Sequence, residues 1–122
     1  MVRRIIVADP DAPTRNLVHL TFGDDGWEVA DATTVEALVA AVADGVPDVL
    51  VLDVGLPAHG GLAAAAALRR LEVTAGVKIL LVTDLASAVS PQALQDAEID
   101  GVLSRPFGTF DLLEAVEELL AA

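Results

Sequence analysis

Residues 48–61, reading DVLVLDVGLPAHGG, constrain the fold more than any other stretch of this chain. Four consecutive apolar residues, Val49 to Leu52, are followed by a lone acid, Asp53, and then by Pro57 and the pair Gly60 and Gly61. A short apolar run closed by turn residues is the pattern of a strand buried on both faces inside a parallel sheet. Asp53 then lies at the strand's carboxyl end, the edge where open α/β sheets place their sites. Its carboxylate is the leading candidate for a reacting group.

The remaining chain alternates strand and helix signals around that run. Arg4 to Ala8 is a first strand, broken by Asp9, Pro10, Asp11, Ala12 and Pro13. Thr14 to Phe22 reads as a helix, with Asp11 or Ala12 near its cap, Pro13 in its first turn and Gly23 as its stop. Trp27 to Ala30 is a weak second strand. Thr33 and Glu36 stand at capping-box spacing before Val35, Leu38, Val39 and Val42, an apolar helical stripe ending at Gly45.

After the central strand, Leu62 to Leu71 is alanine-rich and helical by propensity. Lys78 to Val82 is a fourth strand ending in Thr83, and Ser90 with Pro91 opens a short helix through Ala97. Val102 to Ser104 is a fifth strand ending in Arg105 and Pro106. Thr109 is placed to cap a last helix, with Leu112, Leu113, Val116, Leu119 and Leu120 on one face. Phe107 and Phe110 are expected in the core. Five strand–helix units imply a single α/β domain with a parallel sheet covered on both faces.

The totals agree. A chain of 122 residues, 54% of them apolar, suffices for one core and not for two. No apolar run is longer than Leu62 to Leu68, which is far too short for a membrane span, and no signal-peptide pattern precedes Asp9. With no cysteine there is neither a disulfide framework nor a thiolate metal site, and the expected location is the cytoplasm. Nineteen acids against seven bases, a net charge of −12, argue against direct nucleic-acid binding by this segment. His19 and His59 have no metal-ligand spacing and are expected at the surface.

Asp53, with Pro57 four residues on and Gly61 eight residues on, resembles the phosphoacceptor segment of response-regulator receiver domains. Thr83 and Pro106 extend the resemblance along the chain. It implies a flavodoxin-like (βα)5 fold with strand order 2-1-3-4-5. It also implies that Asp53 takes a phosphoryl group from a histidine kinase or phosphotransfer protein, that Thr83 donates to a phosphoryl oxygen, and that the cation after the fifth strand, here Arg105, pairs with another. Mg²⁺ would be held by Asp9, by Asp53 and by the carbonyl of Gly55. The partners implied are that kinase, an output domain or partner protein, and a second copy of the chain, with residues 1–122 forming one receiver unit cut from, or standing without, a longer regulator.

The pattern departs from the family in four places. Pro10 stands where the family has a second acid, a direct Mg²⁺ ligand, so metal binding is expected to be weak or absent. Arg105 replaces the family's lysine. The chain's only lysine, Lys78, is at the far end of its strand, roughly 15 Å from the site at about 3.3 Å per residue. A guanidinium is bulkier and more rigid than an ammonium, and it forks onto carboxylate as readily as onto phosphate, so an ion pair with Asp53 that shuts the site is the rival role for Arg105. Asp84 follows Thr83 where a small residue is usual, and Val102 stands where the family has an aromatic switch residue. Two other functions stay open at this level: a phosphorylation-independent pseudo-receiver acting through protein contacts, and a haloacid-dehalogenase-like phosphatase suggested by Asp9-Pro10-Asp11.

Overall fold

The computed structural model describes residues 2–57 and 59–122. Five strands, β1 (Arg4–Ala8), β2 (Glu28–Ala32), β3 (Val49–Asp53), β4 (Lys78–Thr83) and β5 (Gly101–Ser104), form one sheet in the order β2-β1-β3-β4-β5. All four pairings are parallel. Five α-helices connect or follow them: α1 (Ala12–Gly23), α2 (Val35–Asp44), α3 (Gly61–Arg69), α4 (Pro91–Asp96) and α5 (Thr109–Ala121). The strand order is the one the family resemblance implies.

Strand periodicity divides the core into two layers. Ile5, Val7, Val49, Val51, Leu80 and Val82 point to one face, where Val18 and Phe22 of α1 and Leu112, Val116 and Leu119 of α5 cover them. Ile6, Ala8, Leu50, Leu52, Ile79 and Leu81 point to the other, against Leu38 and Val42 of α2 and Ala64, Ala65 and Leu68 of α3. β3 is buried along its whole length because it is central and covered twice, which is why its sequence shows no polar alternation.

Several boundaries differ from the sequence reading, each for a local reason. β2 begins at Glu28 and runs to Ala32, because the Trp27 N–H is taken by the Phe22 carbonyl at the end of α1. The cap of α2 is Thr34 rather than Thr33: its Oγ1 accepts from the Ala37 N–H at 3.1 Å. α5 is capped at Gly108 rather than Thr109, since Asp111 Oδ2 reaches back to accept from the Gly108 N–H at 2.9 Å.

Two apolar side chains assigned inward stand outside. Val39 is half exposed, because the buried stripe of α2 centres on Leu38 and Val42 and leaves Val39 at its solvent edge. Phe110 is 86% exposed: two residues before the buried Leu112, it lies more than half a turn round α5. Phe107 does pack, half-buried, against the α1 and α5 layer.

Arginine side chains close the ends opposite the carboxyl edge. Arg4 donates to the carbonyls of Gly45 at 2.7 Å and Ala41 at 3.1 Å, tying β1 to the end of α2, and pairs with Glu28. Arg69 donates to the carbonyls of Thr74 and Glu98 and to Asp100, tying α3 to the loop before β5.

Candidate functional site

Parallel registration brings the strand-end residues into one row. Asp53 pairs with Val82, so Thr83 lies one step beyond it; Thr83 pairs with Ser104, so Arg105 follows directly. On the other side Ala8 pairs with Leu52, which leaves Asp9 beside Asp53. Asp9, Asp53, Thr83 and Arg105 thus meet at the carboxyl edge of the sheet, as the sequence reading expected.

Arg105 organises this crevice. Its Nη2 donates to Asp9 Oδ2 and its Nη1 to Asp53 Oδ1 at 3.1 Å, with Asp84 Oδ1 at 3.5 Å on the rim. Its Nε faces Thr14 Oγ1 at 3.5 Å. Asp9 is only 1% and Asp53 8% exposed, whereas the Asp84 side chain is 89% exposed. The pairing therefore matters most at the two inner carboxylates, where an unpaired charge is costly. The Arg105–Pro106 peptide is cis.

The remaining carboxylate oxygens are also engaged. Asp9 Oδ1 accepts from the Asp11 N–H at 2.8 Å, and Asp53 Oδ2 accepts from the Gly55 N–H at 3.1 Å. Asp11 caps α1: its Oδ2 accepts from the Thr14 N–H at 3.1 Å and from the Thr14 hydroxyl at 2.7 Å. Thr83 is buried, its Oγ1 3.4 Å from the Leu85 N–H. Lys78 is at the opposite end of β4, in register with Val49. His19 lies half-exposed 3.5 Å from Asp31, and His59 is exposed.

These contacts shift the charges in opposite directions. Burial pushes the Asp9 carboxyl above its ordinary value and Asp53 adds to the rise, against the Asp11 N–H and Arg105. The Thr14 hydroxyl holds the Asp11 carboxyl below its ordinary value. Burial opposes the Arg105 charge, but Asp9, Asp53 and Asp84 outweigh it and keep the guanidinium firmly protonated.

Thr14 is the site residue that the sequence reading missed. The signal was present in the Asp11-x-x-Thr14 spacing, which puts the hydroxyl at the cap, but its proximity to Arg105 spans 91 positions and is a tertiary fact.

Mg²⁺, the ion that receiver domains generally bind, requires near-octahedral oxygen coordination. The residues here do not fit it. Pro10 offers no side-chain oxygen, Asp11 is committed to its cap, and both inner carboxylates hold Arg105. Among the described residues no group of three or more His, Cys, Asp or Glu could hold a metal.

A mostly apolar cavity of about 320 Å³ adjoins the crevice, lined by Pro13, Thr14, Leu17, Arg105, Pro106 and Phe107, with Asp11 at its edge. No helix among the described residues is long and apolar enough to cross a membrane.

Comparison with known proteins agrees with this architecture. The family model of the response regulator receiver domain matches residues 5–117. The phosphate regulon transcriptional regulatory protein PhoB of Pseudomonas aeruginosa is 27% identical over 120 residues, which are 97% of this chain and 52% of that protein. The DNA-binding dual master transcriptional regulator RpaA of Synechocystis is 30% identical over 117 residues, 96% of this chain and 48% of that protein. The chain thus spans about half the length of these curated relatives. The chemotaxis response regulator CheY4 of Vibrio cholerae has the same fold, with a TM-score of 0.91 at 24% identity, covering 98% of this chain and 99% of that one. With the family model spanning nearly every strand and helix, this chain belongs to the response-regulator receiver domains of two-component signalling.

Proposed function

We propose that this receiver accepts a phosphoryl group on Asp53 from a histidine kinase or phosphotransfer protein and relays the change through protein contacts. The observation that carries the reading is the placement of Asp53 at the end of the central strand, between a guanidinium and a buried threonine hydroxyl one register step away. Asp53 supplies the nucleophilic oxygen. The Nη1 group that now holds Asp53 Oδ1 turns to the incoming phosphoryl oxygens, and Thr83 donates to another. The P–N bond of the donor phosphohistidine breaks as the O–P bond forms, and the neutral imidazole leaves after taking up a proton. The module transfers a signal rather than turning over a substrate. Its output is a further segment of a longer regulator or a separate protein, and its setting is the cytoplasm.

Treatment with an acyl phosphate, with and without Mg²⁺, tests the reading by intact-protein mass. One phosphoryl group adds about 80 Da, and Asp53→Asn abolishes the adduct. An adduct that persists in that variant removes Asp53 from the role.

A second reading is favoured by one specific observation: Arg105 already pairs both inner carboxylates where Pro10 has removed a third. A receiver shut in this way acts by contacts alone, independently of phosphate, and in that case no adduct forms under any condition. The phosphatase reading, which needs Asp9 and Asp11 to work together, draws no support from a geometry that turns Asp11 into the cap of α1.

A further inference from the structure

The crevice has four inner carboxylate oxygens, and each already has a donor. Arg105 Nη2 and the Asp11 N–H serve Asp9, while Arg105 Nη1 and the Gly55 N–H serve Asp53. The two nitrogens of one planar fork thus reach two carboxylates that come from different strands. A lysine has a single nitrogen on a flexible stem and lacks this fixed two-pronged geometry. The third nitrogen of the fork, Nε, faces Thr14 Oγ1, and that hydroxyl is itself donated to Asp11 Oδ2. Asp11, the cap of α1, thereby acts through Thr14 on the arginine. Pro10, an exposed ring, brings no side-chain oxygen to compete with the guanidinium.

We infer that Arg105 is the resident cation of this crevice, occupying the place between Asp9 and Asp53 that a divalent cation would take, with Thr14 as the residue that positions its fork. Magnesium and the guanidinium then compete for the same oxygens, and the wild-type chain gives the guanidinium the advantage. The inference rests on the site being the Asp9–Asp53 crevice and not on phosphoryl transfer. Its test uses the metal alone, so a chain that never takes up phosphate still passes or fails it.

The experiment is calorimetric titration of the 122-residue chain with MgCl₂, alongside Arg105→Gln, Pro10→Asp and the double variant. The wild type is expected to show no saturable binding. Pro10→Asp alone should gain little, since Arg105 still holds its carboxylates. The double variant should bind at least ~10-fold more tightly than Pro10→Asp, the scale on which even outer partners of a metal site act.

A readout on the wild type keeps the test independent of variants that fold poorly. The Arg105 Nε–H resonance should stay in place as Mg²⁺ is added. In Thr14→Val it should shift and exchange faster with solvent, a change that mere loosening of α1 would not confine to this one arginine. Saturable wild-type binding of Mg²⁺ that displaces the Arg105 resonance would overturn the inference. So would a double variant no better than Pro10→Asp alone.

Discussion

Gly61 and Asp53 touch through the backbone: a Cβ built on Gly61 would lie 2.2 Å from the Asp53 carbonyl oxygen and 3.0 Å from its carbonyl carbon. The Gly61 N–H meanwhile donates to the Val54 carbonyl at 2.8 Å, locking the start of α3 against the end of β3. Glycine is required here for close approach, not for an unusual dihedral angle.

Gly61→Ala must therefore displace the strand end that carries Asp53, at the cost of about 1–3 kcal/mol typical of forced overpacking. Urea denaturation would read this as a lowered midpoint, with the Asp53 and Arg105 resonances shifted in the same variant. An unchanged midpoint would mean that the backbone yields freely at this contact.

Asp9 and Asp11 should titrate on opposite sides of the ordinary 3.8. Asp9 is raised by burial, so its contribution to stability is full below 3.8 and is lost as pH rises through its folded value. Asp11 is lowered by the Thr14 hydroxyl, so its contribution is present above 3.8 and is lost as pH falls through its folded value. Carboxyl NMR titration checks both directions. Arg105→Gln should raise the Asp9 value further by removing a cation, and Asp53→Asn should lower it by removing a neighbouring charge. Movement of Asp9 the other way in either variant would contradict the ion-pair geometry.

Phe110 and Leu112 are two residues apart on α5 and should behave very differently. Phe110→Ser changes stability by no more than about 0.5 kcal/mol, as for an exposed site without special contacts. Leu112→Ala removes a fully buried side chain and should cost about 2–5 kcal/mol. Paired denaturation curves decide it, and similar losses in both would place Phe110 in a packed environment.

Glu98 has φ of 53°, in the left-handed region that disfavours a side chain. Its backbone carbonyl accepts from Arg69 Nε at 3.2 Å and Nη2 at 3.0 Å, contacts that do not need the Glu98 side chain. Glu98→Gly should accordingly raise stability, by up to ~1 kcal/mol once the added freedom of glycine in the unfolded chain is set against the relief. A lowered melting temperature would show that the side chain itself contributes.

The local grammar of the chain determined a good deal by itself. The unbroken apolar run at Val49 to Leu52, closed by turn residues, reads as a doubly covered strand. The breaks after Ala8, Leu52, Val82 and Ser104 put Asp9, Asp53, Thr83 and Arg105 at strand ends, because apolar runs and turn residues act within a few positions. The order 2-1-3-4-5 came from family resemblance, since neighbouring strands share no sequence signal that names their partner. Tertiary structure alone decided the rest. Whether Asp11 or Ala12 capped α1, whether Arg105 met one carboxylate or two, and whether Phe110 faced in or out all depended on helix phase and on side chains up to 96 positions apart. A guanidinium settles where burial has left charge uncompensated, and that place exists only after β1, β3 and β5 have been laid side by side.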